Sequence, residues 1–296
     1  MDIQQLRYFV EIARCKSFTR AAEHLYITQP MLTRVIKQLE GELNAKLIER
    51  SSKNFRLTDV GNTFYLQAQD LILRFNDLQR TIDDVKSVQR GEVRMSTPGV
   101  LLDMYFAPLL LEFRTKYPGV DINIVEEGSK LVSKAVLTDA ADLGMVMLPI
   151  DRSSQFDTSV VVQDQVCLMV GKGHRLAGWG PVDVRELKQE RIITFGDTAT
   201  LHEQFIRLCD AYGFYPRVAY KSLMPYFTAE LLTGSDCVAI LPRPVIWRYL
   251  MDGLVSVDLK QNFPWEIAVI SRKDSYQSFA ATKLKEFICE YFAVPG

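Results

Sequence analysis

The first part of the chain places its apolar residues at helical spacing. In residues 1–15 these positions are Ile3, Leu6, Phe9, Val10 and Ala13, which predicts an amphipathic helix. Residues 19–25 form a second, shorter helical pattern with two adjacent alanines, followed by a brief turn at 26–27. Thr28 then precedes a third pattern, at the position of a helix N-cap. We therefore expect three short helices with a tight turn between the second and the third.

The third predicted helix has two different faces, and a hairpin pattern with basic residues follows at 47–58. The apolar face consists of Leu32, Val35, Ile36, Leu39 and Leu43. Two short helices with a basic hairpin beside them are typical of a winged helix-turn-helix, in which Arg reads guanine and Gln reads adenine. The candidate DNA-contacting residues are Gln29, Pro30, Thr33, Arg34, Lys37, Arg50, Lys53 and Arg56. A small helical packing domain with solvated basic side chains is the alternative.

A long amphipathic helix is predicted after the hairpin. Its apolar positions recur every three or four residues: Leu57, Val60, Phe64, Ala68, Leu71, Phe75, Leu78, Ile82 and Val85. This spacing is close to the heptad repeat of a coiled coil, and such a narrow stripe is usually buried against a partner helix. We expect the helix to pair with a second copy of the chain. Packing along its own domain is the alternative.

Beyond residue 90, short apolar strands alternate with helical patterns. We expect strands at 92–96, 120–125, 142–147, 159–170, 191–195, 217–220, 237–241 and 266–271. We expect helices at 100–116, 129–137, 183–187, 199–212, 223–233, 242–251 and 275–292. This alternation predicts α/β domains with largely parallel sheets.

Three loops fall where a ligand of such sheets binds, at the carboxyl end of a strand and the start of the next helix. Each loop offers hydroxyl groups and backbone donors that suit a small carboxylate. The candidate effector-binding residues are Ser96, Thr97, Gly128, Ser129, Lys130, Thr194, Phe195 and Thr198. Ordinary turn and capping chemistry is the alternative for each loop taken alone.

Composition narrows the class of protein. The chain has 296 residues, of which 48% are hydrophobic and 24% charged, and this excludes disorder, collagen and a disulfide scaffold. We expect two or three domains, no membrane span and no secretory signal. The five scattered cysteines fit reduced thiols, so we expect a cytoplasmic protein.

The charge is distributed unevenly along the chain. The net charge is −1, from 35 basic and 36 acidic residues, whereas nucleic-acid-binding domains are usually basic. Residues 1–60, however, contain ten Lys and Arg against seven Asp and Glu, and the remaining 236 residues carry a net charge of −4. The positive end of the chain coincides with the predicted helix-turn-helix.

No catalytic or metal-binding motif accompanies these patterns. The phosphate-binding loop, the Gly-x-Ser-x-Gly elbow and the His-Glu-x-x-His pair are all absent. His24, His174 and His202 lack the ligand spacing typical of zinc, and we expect His24 to pack within the second helix. We predict no catalytic residue, no metal, no cofactor and no enzyme activity. A redox sensor that uses Cys209 or Cys237 is an alternative.

The first sixty residues also resemble a known family. The stretches concerned are Leu6-Arg7-Tyr8-Phe9, Ser17-Phe18-Thr19-Arg20-Ala21-Ala22-Glu23-His24-Leu25, residues 28–40, Leu47-Ile48-Glu49-Arg50 and Leu57-Thr58-Asp59-Val60-Gly61. In this order they are similar to the N-terminal region of LysR-type transcriptional regulators. The resemblance implies that Gln29, Pro30, Thr33 and Arg34 enter the major groove and that Arg50 and Lys53 lie in the wing. It also implies that the long helix is the dimerisation element.

Later segments resemble the effector domain of the same family. They are residues 113–120, Asp142-Leu143-Gly144 and residues 238–242. The resemblance implies two subdomains like those of periplasmic binding proteins, with two crossovers and an effector cleft between them. Two departures are Asp236, where the family often has a glycine, and Met147, where some carboxylate-binding relatives have an arginine.

We therefore predict an α/β protein with an N-terminal all-α winged helix-turn-helix and a C-terminal two-lobed effector domain that is periplasmic-binding-protein-like. The expected domains are 1–58 for DNA binding, 59–89 for dimerisation and 90–296 for the effector, with lobe I at 90–161 and 267–296 and lobe II at 162–266. The expected function is transcriptional regulation controlled by a small effector, which we expect to be an organic acid. Expected partners are double-stranded DNA, this effector, a second copy in a homodimer or homotetramer, and RNA polymerase. A solute-binding protein or a small-molecule enzyme on the same lobes is the alternative.

Overall fold

The structure is a computed structural model and describes residues 1–51, 54–86, 91–178, 180–197 and 199–293. The contacts among these residues divide the chain into two units, Met1–Asp83 and Asp84–Gly296. No helix in these ranges has both the length and the apolar character needed to cross a membrane.

The first unit begins with three helices: α1 (Ile3–Cys15), α2 (Phe18–His24) and α3 (Gln29–Glu42). A capping box starts α1, because Asp2 accepts a hydrogen bond from the Gln5 N–H and the Gln5 side chain accepts one from the Asp2 N–H. The predicted apolar faces form the core of this unit. Its fully buried members include Phe9, Ile12, Ala21, Leu32, Ile36 and Leu39.

A two-stranded hairpin and a long helix complete the first unit. Strands β1 (Ile48–Ser51) and β2 (Asn54–Leu57) pair antiparallel, and α4 follows at Asp59–Lys86. The first turn of α4 lies so close to β1 that a Cβ at Gly61 would overlap the backbone oxygen of Leu47. This close approach requires a glycine at the start of α4.

The second unit contains nine strands and seven α-helices in its described residues. The strands are β3 (Gly91–Thr97), β4 (Val120–Glu126), β5 (Leu143–Met147), β6 (Phe156–Gly171), β7 (Arg191–Thr194), β8 (Arg217–Lys221), β9 (Cys237–Pro242), β10 (Leu254–Val257) and β11 (Pro264–Arg272). The helices are α5 (Gly99–Leu101), α6 (Ala107–Lys116), α7 (Ser129–Leu137), α8 (Thr200–Ala211), α9 (Pro225–Thr233), α10 (Arg243–Tyr249) and α11 (Phe279–Ala293).

The sheet of this unit is mixed, so the prediction of largely parallel sheets was wrong in part. The strand order is β4-β3-β5-β11-β6-β9-β7-β8, with β10 on β6. Strands β3, β4 and β5 are parallel to one another, as are β7, β8 and β9. Strands β6 and β11 join the two parallel groups through antiparallel pairing. Apolar alternation locates a strand, but it does not show from which end the strand enters its sheet.

Smaller differences between the predicted and the observed secondary structure also have local causes. The predicted helix 100–116 contains a π-helical segment at Leu102–Phe106, which ends two residues before Pro108. Proline has no N–H to donate to the preceding turn, which explains the irregular hydrogen bonding. The predicted helix 183–187 is a 3₁₀ helix at Val184–Gln189, and the short strand β10 was not predicted.

Candidate functional site

The outward face of α3 carries the predicted DNA-contacting residues. Gln29, Pro30, Arg34 and Lys37 are exposed, and Thr33 is half-buried. The Gln29 amide Nε2 lies 3.3 Å from Thr33 Oγ1, to which it donates a hydrogen bond. Neither Arg34 nor Lys37 forms an ion pair with any residue that the structure describes. Both cations are therefore available to a phosphate or a base edge.

The turn before α3 leaves the first N–H groups of that helix without a side-chain cap. Thr28 is the N-cap residue, as predicted, but its side chain makes no capping hydrogen bond. Tyr26 adopts a left-handed conformation with φ 54° and is almost fully exposed. An uncapped helix N-terminus is a ready site for a phosphate group.

The hairpin is joined to α3 by Glu40, a residue that the sequence reasoning did not single out. Its side chain is 4% exposed and accepts hydrogen bonds from the N–H groups of Leu47, at 2.9 Å, and Ile48, at 3.3 Å. Lys46 Nζ lies 3.0 Å from the same carboxylate. A glutamate six or more residues before an apolar strand is a weak sequence signal, because only the fold shows that it is buried. Glu40 therefore sets the position of the hairpin relative to α3.

The predicted wing residues are only partly described. Arg56, on β2, is exposed. The side chain of Arg50 and the whole of Lys53 lie outside the described residues. Their contribution to DNA binding stays a prediction.

A large cavity of about 1140 Å³ occupies the second unit. Its wall includes residues after β3 and β4 on one side and residues after β7 and around α9 on the other. Of the eight predicted effector residues, Gly128, Ser129 and Phe195 lie in this wall. Met147 and Trp265, both buried, contribute apolar surface.

The other predicted effector residues lie elsewhere. Ser96, Thr97 and Thr194 are buried outside the described wall, and the Thr194 hydroxyl has no hydrogen-bond partner among the described residues. Lys130 lies beside a smaller cavity of about 160 Å³ and forms an ion pair with Glu203 at 2.5 Å. Thr198 lies outside the described residues.

Five helices begin at the wall of the large cavity. Their N-cap residues are Pro98, Gly128, Ala199, Met224 and Pro242, and none of these side chains makes a capping hydrogen bond. The first-turn N–H groups of such helices carry partial positive charge. A carboxylate is stabilised at this kind of position without a basic side chain.

The charged side chains of the same wall have the opposite sign. Asp103, Glu126 and Glu127 line the cavity, and the described wall contains no Lys, Arg or His. Ser96 Oγ donates to Glu127 at 3.1 Å, and Arg248 Nε lies 3.9 Å from Asp103. The cavity therefore combines positive backbone ends with three carboxylates.

The two cysteines considered above for redox sensing are free thiols inside the second unit. Cys209 and Cys237 are both fully buried. Burial raises the pKa of the Cys209 thiol to about 12. Because the thiolate is the form that reacts with oxidants, this environment disfavours a peroxide-sensing role for Cys209.

One further cluster corrects the interpretation of His24. The His24 side chain is 55% exposed rather than packed within α2, and its Nδ1 lies 2.9 Å from Glu11 Oε1. Cys15 and Arg14 contact the same carboxylate. Burial by itself raises the pKa of Glu11, but hydrogen bonds from Arg14, His24 and Cys15 outweigh it and lower the pKa to about 2.

Comparison with known proteins agrees with this arrangement. Residues 3–62 match the family described as bacterial regulatory helix-turn-helix protein, lysR family, and residues 86–293 match the LysR substrate binding domain. The chain is 35% identical over 296 residues to the uncharacterised HTH-type transcriptional regulator YwbI of Bacillus subtilis (strain 168), covering 100% of this chain and 98% of YwbI.

Solved structures show the same fold. HinK, a LysR family regulator from Pseudomonas aeruginosa, is 24% identical with a TM-score of 0.60 and covers 98% of both chains. Full-length CbnR in complex with its target DNA is 19% identical with a TM-score of 0.59, covering 98% of this chain and 99% of CbnR. YwbI and HinK are both named as transcriptional regulators, which sets aside an enzyme or a solute-binding protein. The chain belongs to the LysR family of bacterial helix-turn-helix transcriptional regulators.

Proposed function

We propose that this regulator reads double-stranded DNA with the outward face of α3, and that Gln29, Thr33 and Arg34 contact base edges. The observation that carries this proposal is the exposed pair Arg34 and Lys37, neither of which is engaged by a described acidic residue. Arginine can donate two hydrogen bonds to guanine, and lysine can neutralise a phosphate. The wing, placed by Glu40, would bring Arg56 to the backbone of the same duplex.

Replacement of Arg34 tests this placement. We expect Arg34→Ala to cost about 1–3 kcal/mol of specific binding and to relax the sequence preference at one position of each half-site. Arg217→Ala, which removes an exposed arginine from the second unit, serves as the matched control and should bind as the wild type does. A mobility-shift titration at fixed salt compares the three chains. Equal affinity for all three would contradict the assignment of α3 as the reading helix.

The effector is expected to bind in the large cavity, and we expect it to be an organic acid. Its carboxylate is best accommodated where α7 and α8 begin, because neither helix has a proline in its first turn to remove an N–H. The three wall carboxylates disfavour a second negative charge on the ligand. The cavity therefore fits a monocarboxylate with an apolar body against Met147 and Trp265 better than it fits a polyacid.

Effector binding would act through the assembly. Self-association through α4, in a homodimer or a homotetramer, brings pairs of DNA-binding domains to one duplex. A ligand that favours one arrangement of the second unit shifts the equilibrium between assembly states. This shift would change the spacing of the two DNA-binding domains on the duplex. We place this DNA-binding regulator in the cytoplasm. RNA polymerase as a further partner stays a prediction.

A further inference from the structure

We propose that Glu11, Cys15 and His24 form a binding site for a Zn²⁺-like divalent cation, which joins the C-terminal ends of α1 and α2. Glu11 and Cys15 lie one helical turn apart on α1, and His24 is the last residue of α2. Carboxylate, thiolate and imidazole are the three side-chain ligands that zinc uses in proteins. This site is separate from the DNA-reading face and from the effector cavity.

The three donor atoms already have spacings close to those of a zinc centre. Glu11 Oε1 lies 2.9 Å from His24 Nδ1 and 3.2 Å from Cys15 Sγ, and Cys15 Sγ lies 3.5 Å from His24 Nδ1. Tetrahedral zinc with bonds of about 2.0–2.3 Å separates its ligand atoms by about 3.3–3.6 Å. Shifts of a few tenths of an ångström would therefore admit the ion, with a water molecule as the fourth ligand.

Hydrogen bonding satisfies these groups only in part. His24 Nδ1 lies within hydrogen-bond distance of both the Glu11 carboxylate and Arg14 Nη2, at 2.9 and 3.2 Å. A single ring nitrogen cannot donate to the first and accept from the second at the same time. A bound cation would instead take the lone pairs of the imidazole, the carboxylate and the thiolate together.

Arg14 competes with the cation for this site. Its guanidinium makes two hydrogen bonds to Glu11, at 2.7 and 2.8 Å. The Arg14 side chain is 58% exposed, so it can turn outward when a metal ion replaces it. Binding also deprotonates Cys15, and the proton passes to the solvent.

A cation bound at this site would directly affect the stability of the helix-turn-helix. His24 directly precedes the turn at 25–28 that leads into α3, and Glu11 belongs to the helix that packs beneath it. A cation bound to the folded unit stabilises it by mass action, by an amount that rises with the logarithm of one plus the ratio of its concentration to its dissociation constant. The site would thus make the stability of the DNA-reading unit depend on the supply of a thiophilic divalent metal.

Titration of the full-length, tag-free and metal-stripped chain with Co²⁺ tests the site, because Co²⁺ substitutes for Zn²⁺ and absorbs when a thiolate binds it. We expect one Co²⁺ per chain with a thiolate charge-transfer band, and displacement of the band by Zn²⁺. Cys15→Ser should abolish the band. His24→Asn, at an exposed position that does not endanger folding, should weaken binding by about 10- to 100-fold or more, since even an outer-shell change has that effect.

Two further variants make the test specific. Cys289→Ser removes the other half-buried thiol and should leave the band unchanged. Arg14→Gln removes the competing cation and should strengthen Co²⁺ binding. The proposal is overturned if the wild-type chain shows no thiolate band, if the band survives in Cys15→Ser, or if Arg14→Gln weakens binding.

Discussion

At the scale of single residues, Glu40 explains how a short hairpin is held against α3. Its carboxylate is buried and accepts two backbone N–H bonds from β1 and the residue before it. Burial by itself raises the pKa of Glu40, but the bonds from Leu47, Lys46 and Ile48 outweigh it, so that the pKa lies below its ordinary value of 4.5. The ionised form is therefore the one that stabilises the wing.

This gives a prediction with a definite pH dependence. Because the folded-state pKa of Glu40 is lowered, its contribution is complete above pH 4.5 and is lost as the pH falls through the folded-state pKa. We expect Glu40→Gln to destabilise the wing by about 1.5–3 kcal/mol at neutral pH and by less in acid. Hydrogen exchange of the Leu47 and Ile48 amides measures the effect. Glu49→Gln, at an exposed neighbouring position, should leave that exchange unchanged, and equal exchange in both variants would refute the role of Glu40.

Gly61 gives a second prediction at this scale. A Cβ at this position would overlap the backbone oxygen of Leu47, which the helix cannot avoid without moving away from β1. We expect Gly61→Ala to destabilise the first unit by about 1–3 kcal/mol. Gly41→Ala is the matched control, because a Cβ there meets no atom within 4 Å. Thermal unfolding should show a lower midpoint for Gly61→Ala alone, and a midpoint unchanged from wild type would disprove the close approach.

At the scale of elements, the two halves of α4 behave differently. The first half packs on its own unit: Phe64 makes an edge-to-face contact with Phe9, with ring centroids 5.2 Å apart, and Ala68 is buried. Further along, Leu71, Leu78 and Ile82 are exposed although they continue the same stripe. The first half therefore follows the packing alternative, and the exposed second half is the surface that we propose for self-association.

Substitution on that exposed half tests the assignment. We expect Leu78→Glu to shift the protein to monomers, because a charge in a coiled-coil seam must be desolvated or the helices must separate. Leu66→Glu changes an equally exposed leucine of the same helix that lies off the stripe, and it should keep the wild-type mass. Sedimentation velocity distinguishes the outcomes. A wild-type chain that sediments as a monomer would remove the basis of the proposed assembly.

At the scale of the whole molecule, the second unit consists of two parallel strand groups joined by β6 and β11, and the large cavity lies where their helices begin. Topology places the helix N-termini around one space, as expected at the carboxyl ends of parallel strands. The acidic side chains then limit the net charge of an acceptable ligand. The helix N-termini thus contribute partial positive charge to the site, and the acidic side chains contribute negative charge.

The balance of these charges is testable without knowing the natural effector. We expect Glu126→Gln to tighten monocarboxylate binding by about 0.2–1 kcal/mol, the range for an exposed charge pair. The measurement is a thermal-shift titration with aliphatic and aromatic monocarboxylates, each compared with its neutral amide. Asp121→Asn, which removes an exposed carboxylate of β4 outside the described wall, controls for net charge. Stabilisation by the amides and not by the acids would contradict the organic-acid proposal.

Much of the architecture could be predicted from the sequence, because helical and strand periodicity are local properties. The stripe on α3 from Leu32 to Leu43 identified both its buried face and its outward face, and the alternation after residue 90 located most strands. The candidate effector loops were less well predicted. Gly128 and Ser129 follow β4 at the start of α7 and reach the cavity wall, whereas Ser96 and Thr97 still belong to β3 and are buried outside it. Spacing alone did not show that β3 continues to Thr97.

The sequence by itself determined the order of the elements, the buried and outward faces of α3 and membership of the family. Only the tertiary structure decided the direction of β6 and β11, the burial of Glu40, the acidic wall of the cavity and the meeting of Glu11 and Cys15 with His24. The physical reason is the range of the interactions. Periodicity depends on neighbours a few residues apart, whereas pairing, burial and ligand geometry depend on residues that only the folded chain brings together.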